Sequence, residues 1–151
     1  YVIPKFAKIY NGVGFKKEVI YIYKTLIPIF GLGMLSVYVF REVVINVIYP
    51  NFIGMEPLFK WQLSGDFIRL LSLVIAHQFL AKKMVTSFII TELISLCLFF
   101  FLSKNLVPIY GAEGVVMAHF FRYIIYLFIV IIAVWSYFKI QKKEETIENH
   151  R

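Results

Sequence analysis

Asp66, Arg69, Glu92 and Arg122 each stand inside an otherwise apolar run of this chain. Asp66 and Arg69 lie one helical turn apart on one face. A charge at membrane depth costs roughly 2.5–3.5 kcal/mol on insertion scales, so such residues face a partner helix or a hydrated cavity and mark function by default. The chemistry open to them is anion recognition and proton handling. A guanidinium binds phosphate through two parallel hydrogen bonds. A desolvated carboxylate has a raised pKa and can exchange a proton.

The helix that would carry the first pair is FKWQLSGDFIRLLSLVIAHQFLAKK, 59–83. Gln62, Asp66, Arg69, Leu73 and His77 recur at helical spacing, flanked by Gly65, Ser72 and Ala76. This makes one polar or small face on an apolar helix. Asp66 falls about 12 Å in from Leu58 and Arg69 about 16 Å, near a bilayer midplane. Two readings of the pair stand. Either Asp66 neutralises Arg69 and fixes packing, or Arg69 attracts an anionic group that Asp66 orients. Asp66 would also serve as a proton site. Thr91, Glu92 and Ser95 form a second polar patch, in which Glu92 pairs with Arg69 or Arg122 or carries a proton. His119, Arg122, Tyr123 and Tyr126 form a basic and aromatic stripe; tyrosines suit sugar stacking or an interfacial belt. His77 and His119 read as hydrogen-bonded packing residues before proton carriers.

Composition sets the solvent for these helices. The chain has 151 residues, 60% hydrophobic and 19% aromatic. Soluble domains are nearer 45–50% apolar, and a core of this size cannot hide the excess. Lipid is the missing solvent. The net charge is +7, but the bases sit between apolar blocks, which fits membrane orientation and not nucleic acid. Cys97 is the single cysteine, so no disulfide frame or cysteine metal set arises. No Walker, HExxH or G-x-S-x-G motif occurs, and no Cys/His metal spacing. The expectation is therefore no enzyme, no metal and no cofactor.

The pattern predicts an all-α integral membrane chain with four spans. Residues 1–24 read as the end of a preceding helix (1–12, with an Asn11-Gly12 turn) followed by 13–24, which fits either a cytoplasmic interfacial helix or the first turns of the next span. Residues 25–138 hold the spans, near 25–40, 58–81, 84–103 and 115–138. Pro28, Gly31 and Gly33 in the first permit a kink or close packing. Residues 41–58 and 104–114 read as breaks, and 139–151 as a polar cytoplasmic tail. The short connection at Lys82-Lys83 predicts an antiparallel hairpin of the second and third spans. Lysines gather on one side (5, 8, 16, 17, 24, 82, 83, 139, 142 and 143), which puts that side and the C-terminus in the cytoplasm. The chain begins at Tyr1 without a signal-peptide pattern, and a fragment of a longer membrane protein is expected.

LFKWQLSGDFIRL (58–70), HQFLAKK (77–83), TEL (91–93) and YGAEGVVMAHFFRYIIYL (110–127) resemble bacterial polysaccharide flippases, in particular the O-antigen translocase and lipid III flippase group of the multidrug/oligosaccharidyl-lipid/polysaccharide exporter superfamily. Trp61 to Asp66 is the most specific part, and YVIPKFA (1–7) looks like the end of that family's eighth helix. The resemblance implies four helices of the C-terminal lobe of a twelve-helix, two-lobed transporter, whose N-terminal lobe is not in this chain. It implies an undecaprenyl-pyrophosphate-linked oligosaccharide of O-antigen or enterobacterial-common-antigen type as substrate, moved across the bacterial inner membrane by alternating access. Arg69 and Asp66 match a base and an acid of the family pattern. Arg122 has no such counterpart, and its assignment to the substrate with Gln62 and Tyr126 rests on the physical argument. A multidrug or lipid II exporter is the near alternative, although central bases that match the acids favour an anionic substrate. A membrane polymerase or ligase would need large outer loops, which are lacking here. A non-transporting membrane subunit is the third alternative.

Overall fold

A computed structural model describes residues 2–9, 11–48 and 56–148. Every element among them is a helix: α1 (Val2–Ala7), α2 (Gly12–Val39), α3 (Arg41–Ile48), α4 (Glu56–Ala81), α5 (Val85–Tyr110) and α6 (Ala112–Glu148). Four of these, α2, α4, α5 and α6, are long and apolar enough to cross a membrane. The all-α membrane class follows.

Asn11 begins α2. Its backbone is extended, and its side-chain oxygen accepts from the Gly14 amide at 2.6 Å, satisfying a donor that the first turn leaves free. From there α2 runs unbroken through Lys16, Lys17, Lys24 and Pro28. Residues 13–24 and 25–40 are thus one helix and not two elements. Between α3 and α4, the Pro50-Asn51 and Gly54 turn signals lie outside the described residues. Pro57 sits in the first turn of α4, where its missing N–H costs nothing.

The expected loop over 104–114 is instead mostly helix. α5 continues through Pro108 to Tyr110, and the chain turns at Gly111 alone before α6. Gly111 has φ 57° and ψ −133°, a backbone state open essentially to glycine. Gly114 then packs against the Leu106 carbonyl, where an added Cβ would come within 2.5 Å of the oxygen. This close approach closes the α5–α6 corner. α6 has 37 residues, about 55 Å of helix against a hydrocarbon layer of about 30 Å, so it outruns the membrane.

The centre of the bundle is α6. α4 and α5 each pack along it and touch one another only sparsely, so the short turn at Lys82–Met84 joins two helices that meet mainly through a third. The buried core lies toward the lysine-rich end. Phe6, Phe15, Val19 and Ile22 meet Val74, Ile75 and Phe79 of α4 and Tyr126, Val130 and Val134 of α6. Polar ties reinforce it: Lys5 Nζ to Glu18 Oε1 at 2.6 Å, Lys82 Nζ to the Ala7 carbonyl at 3.0 Å, and Tyr23 Oη to the Leu71 carbonyl at 2.6 Å. Desolvation pushes the Lys82 ammonium pKa down. The far half of α2 leaves Ile29, Leu32, Leu35 and Val39 exposed, and α5 exposes Leu96, Phe100 and Phe101. In lipid such surfaces carry no penalty.

Candidate functional site

The site begins where α4 and α6 come closest. Gly65 is buried, and a Cβ there would lie 2.5 Å from His119 Cδ2 and 3.3 Å from the Phe120 Cα. Only a residue without a side chain lets His119 lie across α4 at this level. Just beyond Gly65, Trp61 ties the two helices again. Its indole Nε1 donates to Glu113 Oε1 at 2.8 Å, and its ring meets Phe120 edge-on with centroids 5.4 Å apart.

This close contact sets the partner of Asp66. His119 Nε2 lies 3.1 Å from Asp66 Oδ1, and Gln62 Nε2 donates to Asp66 Oδ2 at 3.0 Å. Both carboxylate oxygens are engaged, and neither contact is with Arg69. The intrahelical neutralisation of Arg69 by Asp66 does not form. The His119 side chain is 15% exposed and that of Asp66 35%, so the pair is half-hidden.

The contacts continue along α6 toward the lysine-rich end. The His119 ring meets Tyr123 edge-on at 4.9 Å, and Tyr123 meets Tyr126 at 6.0 Å. Tyr126 Oη donates to Glu92 Oε1 of α5 at 2.5 Å. Glu92 therefore pairs with a tyrosine hydroxyl and with neither Arg69 nor Arg122. Thr91 and Ser95, its polar neighbours, are buried, and Thr91 Oγ1 donates to the Phe88 carbonyl within α5. His77 stands apart: its Nδ1 lies 2.5 Å from the Leu73 carbonyl one turn back, an arrangement that satisfies the ring within its own helix.

The two arginines meet at Tyr123, which is 4% exposed. The Arg69 guanidinium carbon lies 5.8 Å from the centre of that ring and that of Arg122 lies 4.2 Å from it. Arg122 also sits 5.0 Å over Phe99 of α5 and donates to the Tyr123 hydroxyl. A cation over an aromatic face gains about 0.5–2 kcal/mol, more as water is removed. Among the described residues, neither guanidinium forms an ion pair, and the buried Arg122 Nε has no hydrogen-bond acceptor. An unmet buried donor costs about 1–3 kcal/mol, which an anionic ligand would relieve.

The six residues singled out in the sequence, Gln62, Asp66, Arg69, Glu92, Arg122 and Tyr126, are thus linked into one network centred on Tyr123. The sequence reading of His119 as a hydrogen-bonded residue is met by Asp66, a partner it did not name, and the Trp61–Glu113 bond was not found. The signal for the second was available: a buried indole N–H requires an acceptor. Among the described residues no group of three or more His, Cys, Asp or Glu could hold a metal ion.

Comparison with known proteins supports the resemblance. The lipid III flippase of Escherichia coli (strain K12) is 27% identical over 127 residues, covering 83% of this chain and 30% of that protein. The lipid III flippase of Shigella flexneri matches with the same identity and coverage. The chain therefore spans about a third of the length of the curated relatives it matches. No protein-family model and no solved structure matches.

Proposed function

We propose that this chain forms the cationic wall of the cavity in a flippase for a lipid-linked oligosaccharide. The observation that carries the reading is the pair of guanidinium groups on Tyr123, free of ion pairs among the described residues, with the acids of the site already engaged by Gln62, His119 and Tyr126. Had Asp66 or Glu92 paired with an arginine, the N–H fork of that guanidinium would be occupied and less of it left for a phosphate. The curated relatives named lipid III flippase support the same substrate class. In this account Arg69 and Arg122 receive the pyrophosphate of an undecaprenyl carrier, and Gln62 and Tyr126 border it. The repeat unit is of O-antigen or enterobacterial-common-antigen type.

The segment works as part of the C-terminal lobe of a twelve-helix protein in the bacterial inner membrane, with its C-terminus in the cytoplasm. That orientation follows from the lysine bias. Rocking of this lobe against an N-terminal lobe exposes the cavity first to one side and then to the other. The protein moves its substrate without making or breaking a covalent bond, and it is no enzyme in this reading. Asp66, held by His119, and Glu92, held by Tyr126, are the proton sites through which an ion gradient would couple.

The test is surface-polysaccharide output in cells whose own gene carries the change. At equal protein level, Arg69→Ala and Arg122→Ala each abolish or strongly reduce output, and Arg69→Lys retains part. Undiminished output from both alanine variants would support a non-transporting subunit instead.

A further inference from the structure

Toward the lysine-rich end, α5 and α6 separate and leave a cleft of about 620 Å³, with Ser87 and Thr91 on one wall and Ser136, Tyr137 and Gln141 on the other. The volume falls within the roughly 300–1,000 Å³ of small-molecule sites. Among the described residues its lining combines apolar side chains with hydroxyl and amide groups and carries no formal charge. The Gln141 side-chain oxygen is buried and has no hydrogen-bond donor among the described residues. An orphaned buried acceptor costs about 1–3 kcal/mol, and a ligand rich in O–H donors satisfies it.

The cleft belongs to the same seam as the arginine site. From Arg122 to Ser136 the helix turns through almost four complete revolutions, which leaves the two within about 40° of one face. Arg122 reaches Phe99 across the seam, Tyr126 reaches Glu92, and the cleft follows below Thr91. About 21 Å of helix separates Arg122 from Ser136. Charge divides the seam: the Arg122 guanidinium at one end and, among the described residues, neutral hydrogen-bonding groups with a tyrosine at the other.

We infer that this cleft binds the distal sugars of the glycan whose pyrophosphate lies at Arg122. The inference rests on the flippase reading and adds a neutral carbohydrate subsite to it. A pyrophosphate has no counter-charge among the described residues that line the cleft. A membrane acyl chain would leave Gln141, Ser87 and Ser136 without partners, so a polyol is the ligand class that answers both the apolar floor and the polar wall.

The test compares two lipids on the purified full-length protein in detergent: lipid-linked oligosaccharide extracted from the source cells, and undecaprenyl pyrophosphate bearing no sugar. The variants are Gln141→Leu and Ser87→Ala; the second removes one oxygen and little volume. Each variant is expected to weaken the oligosaccharide lipid about three- to tenfold, the worth of one hydrogen bond, and to leave the bare lipid unchanged. Unaltered affinity of both variants for the oligosaccharide lipid would overturn the subsite. So would an equal loss on both lipids, which would assign the cleft to the prenyl chain. If neither lipid binds the unmodified protein, the flippase reading itself falls.

Discussion

Gly65→Ala offers a sharp structural test, because opposing effects can be weighed from the geometry. The gain is helical: alanine in a helix interior is favoured over glycine by about 0.8–1 kcal/mol. Against it stands the contact with α6. The new methyl would fall 2.5 Å from His119 Cδ2 and 3.1 Å from Nε2, far inside van der Waals contact. His119 must move, and its 3.1 Å contact with Asp66 Oδ1 breaks. A hydrogen bond to a charged group is worth about 1.5–3 kcal/mol. The Phe120 Cα at 3.3 Å is backbone, so the helices must also separate by a few tenths of an ångström, and overpacking of this kind costs about 1–3 kcal/mol. The losses exceed the gain, and a net destabilisation of about 2 kcal/mol or more is expected. Thermal unfolding of the full-length protein in detergent, with and without His119→Ala, reads this directly. Shortening His119 removes the nearest clash, so Gly65→Ala should cost much less in that background. Equal costs in both backgrounds, or a more stable Gly65→Ala protein, would refute the α4–α6 contact as the structure places it.

Two further substitutions probe the rest of the network. Tyr126→Phe deletes the hydroxyl that donates to Glu92 at 2.5 Å and keeps the ring, so it should lower stability by about 1.5–3 kcal/mol; replacing Glu92 with Gln as well should recover part of that loss in a double-mutant cycle. Gly111→Ala meets no neighbouring atom within 4 Å, yet its backbone has φ 57°. Its cost should therefore be conformational, about 1–3 kcal/mol, and Gly111→Asn should cost less than Gly111→Val in the same unfolding assay.

Hydropathy located the four spans because apolar runs of bilayer length have few other meanings. It could not locate the packing. α6 shows a basic and aromatic stripe only over His119–Tyr126 and is apolar all round over the turns that follow, so its place at the centre of the bundle emerges only from the contacts. α4 was easier to read, since Gln62, Asp66, Arg69 and His77 mark a stripe on an apolar helix. Even there the stripe names a face and not its partners. Asp66 meets His119 and not Arg69 because Gly65 sets how closely two helices approach, a matter of register between residues 53 positions apart. The segment 104–114 departs from the expected loop for a local reason. Pro108 and Gly111 are both turn signals in soluble chains, but a membrane helix tolerates proline in its interior, and only Gly111 turns the chain. His119 shows the same limit from the other side. Its residue type calls for a hydrogen-bond partner, but nothing local in the sequence names Asp66 as that partner.

The central claim is that the guanidinium groups on Tyr123 handle an anionic, lipid-linked substrate. It is tested most directly by transport in proteoliposomes containing the full-length protein and radiolabelled lipid-linked oligosaccharide. Translocation is read as label made accessible on the opposite face. The account predicts translocation by the unmodified protein, none above protein-free vesicles for Arg69→Ala, and an intermediate rate for Arg69→Lys, which keeps the charge but not the planar fork. Translocation by Arg69→Ala at the unmodified rate would contradict it.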